Sequence, residues 1–218
     1  MLLNVDGGEL EDEPEELYAI ADVIHVACGG HAGDEASMTR VVRACKANGT
    51  KVGAHPSYVD PEGFGRRAQP VAPEVLGEQI RAQCAALRRV AEREGYAVTS
   101  AKPHGALYHA AHSDRAIADA CVGAIKDALG NVAVVGLPHG ALEASAKAAG
   151  MPYLVEAFAD RGVLPDGSLI PRGQPGALIL DPVLAAERAR SIKDADTLCI
   201  HGDTPNAVAI ARAVRAAL

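Results

Sequence analysis

The sequence predicts an α/β fold of seven strands: a β/α barrel, complete or slightly open, with a doubly wound open sheet as the alternative. Three observations predict it. Short apolar runs recur along the 218 residues. Most are continuous rather than alternating, as parallel strands buried on both faces require. Longer stretches with helical apolar spacing separate them, and such alternation with short connections gives parallel βα units. The length suits one large domain, and no linker or repeat interrupts it, so residues 1–218 are expected to form a single domain.

The expected strands, in order, are Leu2–Asp6, Val23–Ala27, Lys51–Ala54, Val98–Lys102, Val132–Leu137, Tyr153–Glu156 and Thr197–His201. Between the second and third, Met38, Val41, Val42 and Cys45 form one helical stripe, and Gly49 follows it. Leu76, Ile80, Cys84, Leu87 and Ala91 form another, with Pro73 near its start and Gly95 past its end. Ser113 is expected to cap the helix through Ile117, Cys121 and Ile125, and Thr204–Pro205 to open the last helix.

Composition narrows the function. Hydrophobic residues make up 49% and aromatics 3%, so the core is built of Ala, Val, Leu and Ile. The formal charge is -7 with no basic run, which argues against nucleic-acid binding. No apolar run is long enough to span a bilayer, and the acidic start MLLNVDGGELEDE lacks the basic and apolar regions of a signal peptide, so a cytoplasmic protein is expected. The five cysteines have no metal-binding spacing and read as buried free thiols, Cys28 included.

Ionisable residues gather at the expected carboxyl ends of strands, where parallel α/β folds bind ligands. Asn4, Asp6 and Glu9 belong to the first, His31 and Asp34 to the second, His55 to the third, Lys102 and His104 to the fourth, and His201 and Asp203 to the last. Polar groups at five strand ends are costly to satisfy without a purpose. Pro103 biases Lys102 to extended geometry, so Lys102 and His104 are expected to face the cavity together, with Asp6 or Asp203 pairing the ammonium. Asp6, His31 and His55 could form a metal site, although without a diagnostic spacing no tightly held structural metal is expected. Gly7, Gly8, Gly29, Gly30 and Gly33 permit close backbone approach to a ligand, but neither G-x-x-x-x-G-K-[ST] nor G-x-G-x-x-G occurs. Arg66, Arg67 and Arg172 are candidate anion clamps.

The segments ACGGHAGD (27–34), GAHPSYVDPEGFGRRA (53–68), KPHGALY (102–108), FADRGVLPDGSLIPRGQPGALI (158–179) and HGDTPNAV (201–208) resemble the LamB/YcsF family in order and spacing. NVDGGE (4–9) is similar to that family's N-C-D-L-G-E, with Val5 and Gly7 replacing Cys and Leu. The resemblance implies a TIM-like barrel of the glycoside hydrolase/deacetylase type. It also implies the role of an A subunit that opens 5-oxoproline to L-glutamate with ATP, together with B and C subunits. Carried over by position, Asp6, His31, Asp34, His55, Lys102 and His104 are the implied catalytic residues. Glu9, Arg66, Tyr108, Arg172, His201 and Asp203 are implied to bind substrate, with Asp160 and Arg161 as weaker candidates. ATP is the implied co-substrate, with Mg²⁺ accompanying it. The stretch between Glu9 and Ile24 is short for the family. Two other readings remain open on sequence: a metal-dependent amide hydrolase or deacetylase, and a non-catalytic ligand-binding subunit.

Overall fold

A sheet curled onto itself leaves only its outer face for helices to cover, and on that face Leu3, Val5, Ile24, Val26, Leu198 and Ile200 join the hydrophobic core, while the inward positions alternate to polar residues. A computed structural model of the chain describes residues 1–164 and 168–218. In order, the elements are β1 (Leu2–Gly7), α1 (Glu16–Ile20), β2 (Val23–Ala27), α2 (Glu35–Asn48), β3 (Lys51–His55), α3 (Pro73–Arg93), β4 (Val98–Ala101), α4 (Gly105–Ser113) and α5 (Arg115–Leu129). They continue with β5 (Ala133–Gly136), α6 (Ala141–Ala148), β6 (Tyr153–Phe158), α7 (Pro182–Ser191), β7 (Thr197–His201) and α8 (Ala207–Ala217).

The seven strands form a closed parallel barrel in sequence order, which sets aside the open sheet. The seam joins β1 to β7 and sets Asp6 opposite His201, while β2 sets His25 opposite Asp6 on the other side. Every expected strand is present, with ends shifted by at most two residues. Lys102 falls just past β4, and β6 runs on to Phe158.

Both expected helical stripes are buried between helix and barrel, Leu76, Ile80, Cys84 and Leu87 completely so. Each large aliphatic side chain so placed contributes about 1.5–3 kcal/mol. All five cysteines are free and buried.

Two helix starts differ from expectation. Ser113 is the last residue of α4, and Asp114 caps α5 by accepting from the amides of Ala116 and Ile117. A carboxylate with an extended backbone does this better than a hydroxyl still inside a helical turn. The last helix begins at Ala207 rather than at Thr204–Pro205, because the buried Thr204 hydroxyl is spent on Asp160.

Candidate active site

The inside of the barrel is polar. Asn4, on β1, donates to Glu156 Oε1 (3.0 Å) and Thr197 Oγ1 (2.8 Å). His25, in the middle of β2, bridges Asn4 Oδ1 and Ser100 Oγ, each at 3.1 Å. The His25 ring and the Ser100 hydroxyl occupy the space where a Cβ on Gly53 would sit, so only glycine fits that point of β3. Burial and then the Lys102 charge push His25 well below the usual imidazole range, so it is a neutral strut.

Lys102 stands on this floor, fully buried. Its Nζ lies 2.5 Å from Asp6 Oδ1 as an ion pair, and donates to Asn4 Oδ1 (2.9 Å) and Glu156 Oε1 (3.0 Å). Burial is the largest single effect and opposes its charge, but Asp6, the Cys199 sulfur and Glu156 together outweigh it and hold the ammonium well above its ordinary range. Burial likewise opposes ionisation of Asp6, and His55 and Lys102 overcome it. As expected, Lys102 and His104 line one cleft, and the partner is Asp6; Asp203 lies elsewhere.

Above the floor a cleft of about 610 Å³ opens at the carboxyl ends of the strands. One wall is made of imidazoles. His55 Nδ1 contacts the Lys102 carbonyl at 2.7 Å, and its Nε2 faces Asp6 Oδ2 at 3.3 Å. His104 Nε2 contacts the Phe64 carbonyl at 2.9 Å, and its Nδ1 lies 3.0 Å from His55 Nε2 and 3.2 Å from Glu9 Oε1. Behind them His31 stacks on His104, with ring centroids 3.6 Å apart, and contacts Glu9 at 2.9 Å. Burial lowers His31 to about 4 and also lowers His104. The GFGRR loop holds this wall: a Cβ on Gly65 (φ 65°) would strike His31 and His104.

The opposite wall is cationic. His201 Nδ1 contacts both oxygens of Asp160 at 3.1 Å, and Asp160 also accepts from Thr204. Burial opposes the charge on His201, but Asp160 prevails and raises its proton affinity above the ordinary imidazole value. At the rim Arg66 (2.5 Å) and Arg172 (3.5 Å) converge on Asp203, and Arg161 lies buried behind them, held by the Ala177 and Ile170 carbonyls.

Not every expected site residue comes here. Asp34 is exposed and caps α2, exchanging hydrogen bonds with Ser37, so the expectation of a catalytic role is corrected. Glu9 and His31 are buried behind the cleft wall rather than lining it. Tyr108 lines the cleft, but its hydroxyl is committed to Glu156 Oε2 at 2.9 Å. Asp203 binds the arginines, which leaves ligand contact to them. Arg67 points away to Asp60, and Cys28 is an inert thiol that burial pushes up to about 12. The metal trio expected of Asp6, His31 and His55 is not the one that forms. Asp6–His55–His104, Glu9–His31–His104 and Asp6–Cys199–His201 are the groups whose ligand atoms converge among the described residues. Sequence reasoning passed over His25, Glu156 and Phe158. Glu156 sits at an expected strand end like the others, and a histidine inside an apolar strand is itself a signal.

A parallel barrel with ion-paired, buried acid–base groups at its carboxyl mouth and arginines at its rim has the layout of an enzyme active site. The sequence profile of the LamB/YcsF family matches residues 3–218, and the chain belongs to that family. It is 46% identical to the A subunit of a 5-oxoprolinase from Streptomyces griseus, the match covering 100% of this chain and 95% of the relative. That alignment runs to 239 positions and so has gaps on this chain's side. The corresponding 5-oxoprolinase component of Chloroflexus aggregans, also an A subunit, is 40% identical over 98% of this chain and 92% of its own. The crystal structure of a lactam utilization protein from Thermus thermophilus superposes with a TM-score of 0.92 at 38% identity, covering 100% of this chain and 95% of that one. Among the described residues no helix is long and apolar enough to cross a membrane.

Proposed function

We propose that residues 1–218 act as one barrel domain, the A subunit of an ATP-dependent 5-oxoprolinase that opens 5-oxo-L-proline to L-glutamate with B and C subunits. The observation that carries this reading is the divided cleft, with a proton-accepting wall facing a proton-holding one around a floor ammonium. The names of the relatives agree with it. The reducing cytoplasm suits five free thiols.

A lactam is a poor electrophile. Transfer of the γ-phosphoryl group to its carbonyl oxygen breaks the bond to ADP and makes the ring carbon reactive. Water adds there, and the C–N bond breaks as nitrogen takes a proton. The acyl phosphate that remains is hydrolysed by a second water to glutamate and phosphate. Arg66 and Arg172 are placed to hold the substrate carboxylate as guanidinium forks. His201, kept protonated by Asp160, supplies the proton to nitrogen. Lys102 offsets negative charge developing on oxygen. Water activation falls to the Asp6–His55–His104 wall. With no phosphate-cradling loop of either common type in this chain, nucleotide handling is shared with the B and C subunits, and Mg²⁺ arrives with ATP.

The test measures glutamate formed from 5-oxoproline and ATP by the chain alone and with both partners. Turnover is expected from the reconstituted complex. A folded, assembled complex that forms no glutamate would remove this reading.

A further inference from the structure

The two central imidazoles cannot satisfy their surroundings with the protons they carry. A carbonyl oxygen only accepts, so the Lys102 carbonyl fixes the proton of His55 on Nδ1. The Phe64 carbonyl likewise fixes the proton of His104 on Nε2. In the neutral rings His55 Nε2 and His104 Nδ1 are therefore both lone pairs, and they face each other at 3.0 Å. Asp6 Oδ2 lies 3.3 Å from the first, and Glu9 Oε1 lies 3.2 Å from the second and 3.9 Å from the first. Glu9 Oε1 also meets His31 Nε2 at 2.9 Å and Asp6 Oδ2 accepts weakly from Cys199 Sγ at 3.9 Å, but the two nitrogen lone pairs face each other with no donor.

The charges agree. The buried carboxyl groups of Asp6, Glu9 and Glu156 cluster around one ammonium, Lys102, and the nearby His201 is paired with Asp160, so acidic groups outnumber cations there. A divalent cation answers both the charge and the lone pairs.

The geometry points to a divalent transition-metal site formed by Asp6 Oδ2, His55 Nε2 and His104 Nδ1, with Glu9 Oε1, 3.2 Å from His104 Nδ1, as the neighbouring carboxylate. Metal–ligand bonds of about 2.0–2.2 Å place neighbouring ligands about 2.8–3.6 Å apart, from octahedral to tetrahedral geometry, and the separations of 3.3, 3.0 and 3.2 Å fall in that range. Each imidazole donates its outer N–H to a backbone carbonyl, the support that orients metal-binding histidines. Mixed imidazole and carboxylate ligands favour Zn²⁺, Co²⁺ or Mn²⁺ over Mg²⁺. Asp6 keeps its other oxygen on Lys102, so the ion and the ammonium share one carboxylate. The ion lies beside the cleft, where it lowers the pKa of a bound water. That last role rests on the proposed lactam hydrolysis, whereas the binding does not.

The test uses the whole chain, stripped with chelator and titrated by calorimetry with ZnCl₂, CoCl₂ or MgCl₂, with stoichiometry read by elemental analysis. About one equivalent of Zn²⁺ or Co²⁺ is expected, and no comparable uptake of Mg²⁺. His104→Ala should weaken binding by about 100-fold or more, and Glu9→Gln by less. Cys199→Ser, which dismantles the neighbouring Asp6–Cys199–His201 group, should leave binding unchanged. If the His104 variant fails to fold, nitrogen NMR of the wild-type imidazoles decides: Zn²⁺ should shift His55 Nε2 and His104 Nδ1 and spare their outer nitrogens. Absence of stoichiometric uptake overturns the proposal, as does binding that survives His104→Ala or a zinc shift confined to other histidines. Because every readout is binding, the outcome is independent of whether the reconstituted enzyme turns over 5-oxoproline.

Discussion

The two walls of the cleft are built from the same residue type at the same kind of place, and they hold opposite charge. On one wall His55 and His104 rest their outer nitrogens on backbone carbonyls, and His31 is sealed behind them. On the other, His201 rests on the Asp160 carboxylate. A carbonyl accepts a proton's hydrogen bond without rewarding a positive charge much, whereas a carboxylate rewards it directly. Burial lowers the proton affinity of His31 and His104, whereas the carboxylate behind His201 raises that of His201 despite burial.

The comparison breaks most visibly at the residue beneath both walls. In the reconstituted enzyme Lys102→Met is expected to cut kcat by about 10²–10³-fold, the scale of losing a preorganised electrostatic stabiliser. Circular dichroism checks that the variant remains folded. Normal turnover by a folded Lys102→Met variant would make this lysine a strut of the barrel floor.

A smaller effect is expected on removing the difference between the walls. Asp160→Asn takes away the charge that holds the His201 proton. The rate should fall on the order of tenfold, a partial loss of what a positioned acid supplies, and the alkaline limb of the pH profile should move to lower pH. Loss of rate with an unmoved profile would mean that Asp160 only holds β7 in place.

The contrast can also be read without catalysis. In an NMR titration of the metal-stripped chain, His31 is expected to titrate near about 4 and His201 above the ordinary imidazole value. The sign for stability follows. His201 binds its proton more tightly folded than unfolded, so its contribution is complete below about pH 6.5 and is lost as pH rises through the folded value. Asp160 is held low despite its burial, chiefly by His201, so its contribution is present above about pH 3.9 and lost as pH falls. Denaturation midpoints that ignore Asp160→Asn across this window would contradict the pairing.

The smallest effect belongs to Asp34, which sits on neither wall. Asp34→Ala removes a helix cap and should lower Tm by about 2–4 °C while leaving kcat/KM unchanged. A large loss of activity there would restore the role expected from its motif.

Strand ends were legible because an apolar run stopping at a charged residue is a one-dimensional pattern, and Asp6, His55, Lys102, His104 and His201 all follow it. Direction around a turn is not. Asp34 and His31 are three residues apart, yet one caps a helix in solvent and the other is sealed behind His104. The pairing of Arg66 and Arg172 through Asp203 joins three distant loops, which no local spacing encodes. Glu156 was legible in principle, since it ends its expected strand, but it binds downward to Lys102 and Tyr108, a contact only the closed barrel makes.

The seam between β1 and β7 sets an order of events for a chain made from its N-terminus. Asp6 precedes His201 by 195 residues and is without this neighbour until β7 has docked. Until then β1, with Asp6, is one open edge of the sheet and β6, with Glu156, is the other. The cationic wall that carries His201 is therefore incomplete until the final strand closes the circle. A nascent chain interrupted before β7 can hold much of its helix packing and still have no dry cavity in which to bind an ion or shift a proton.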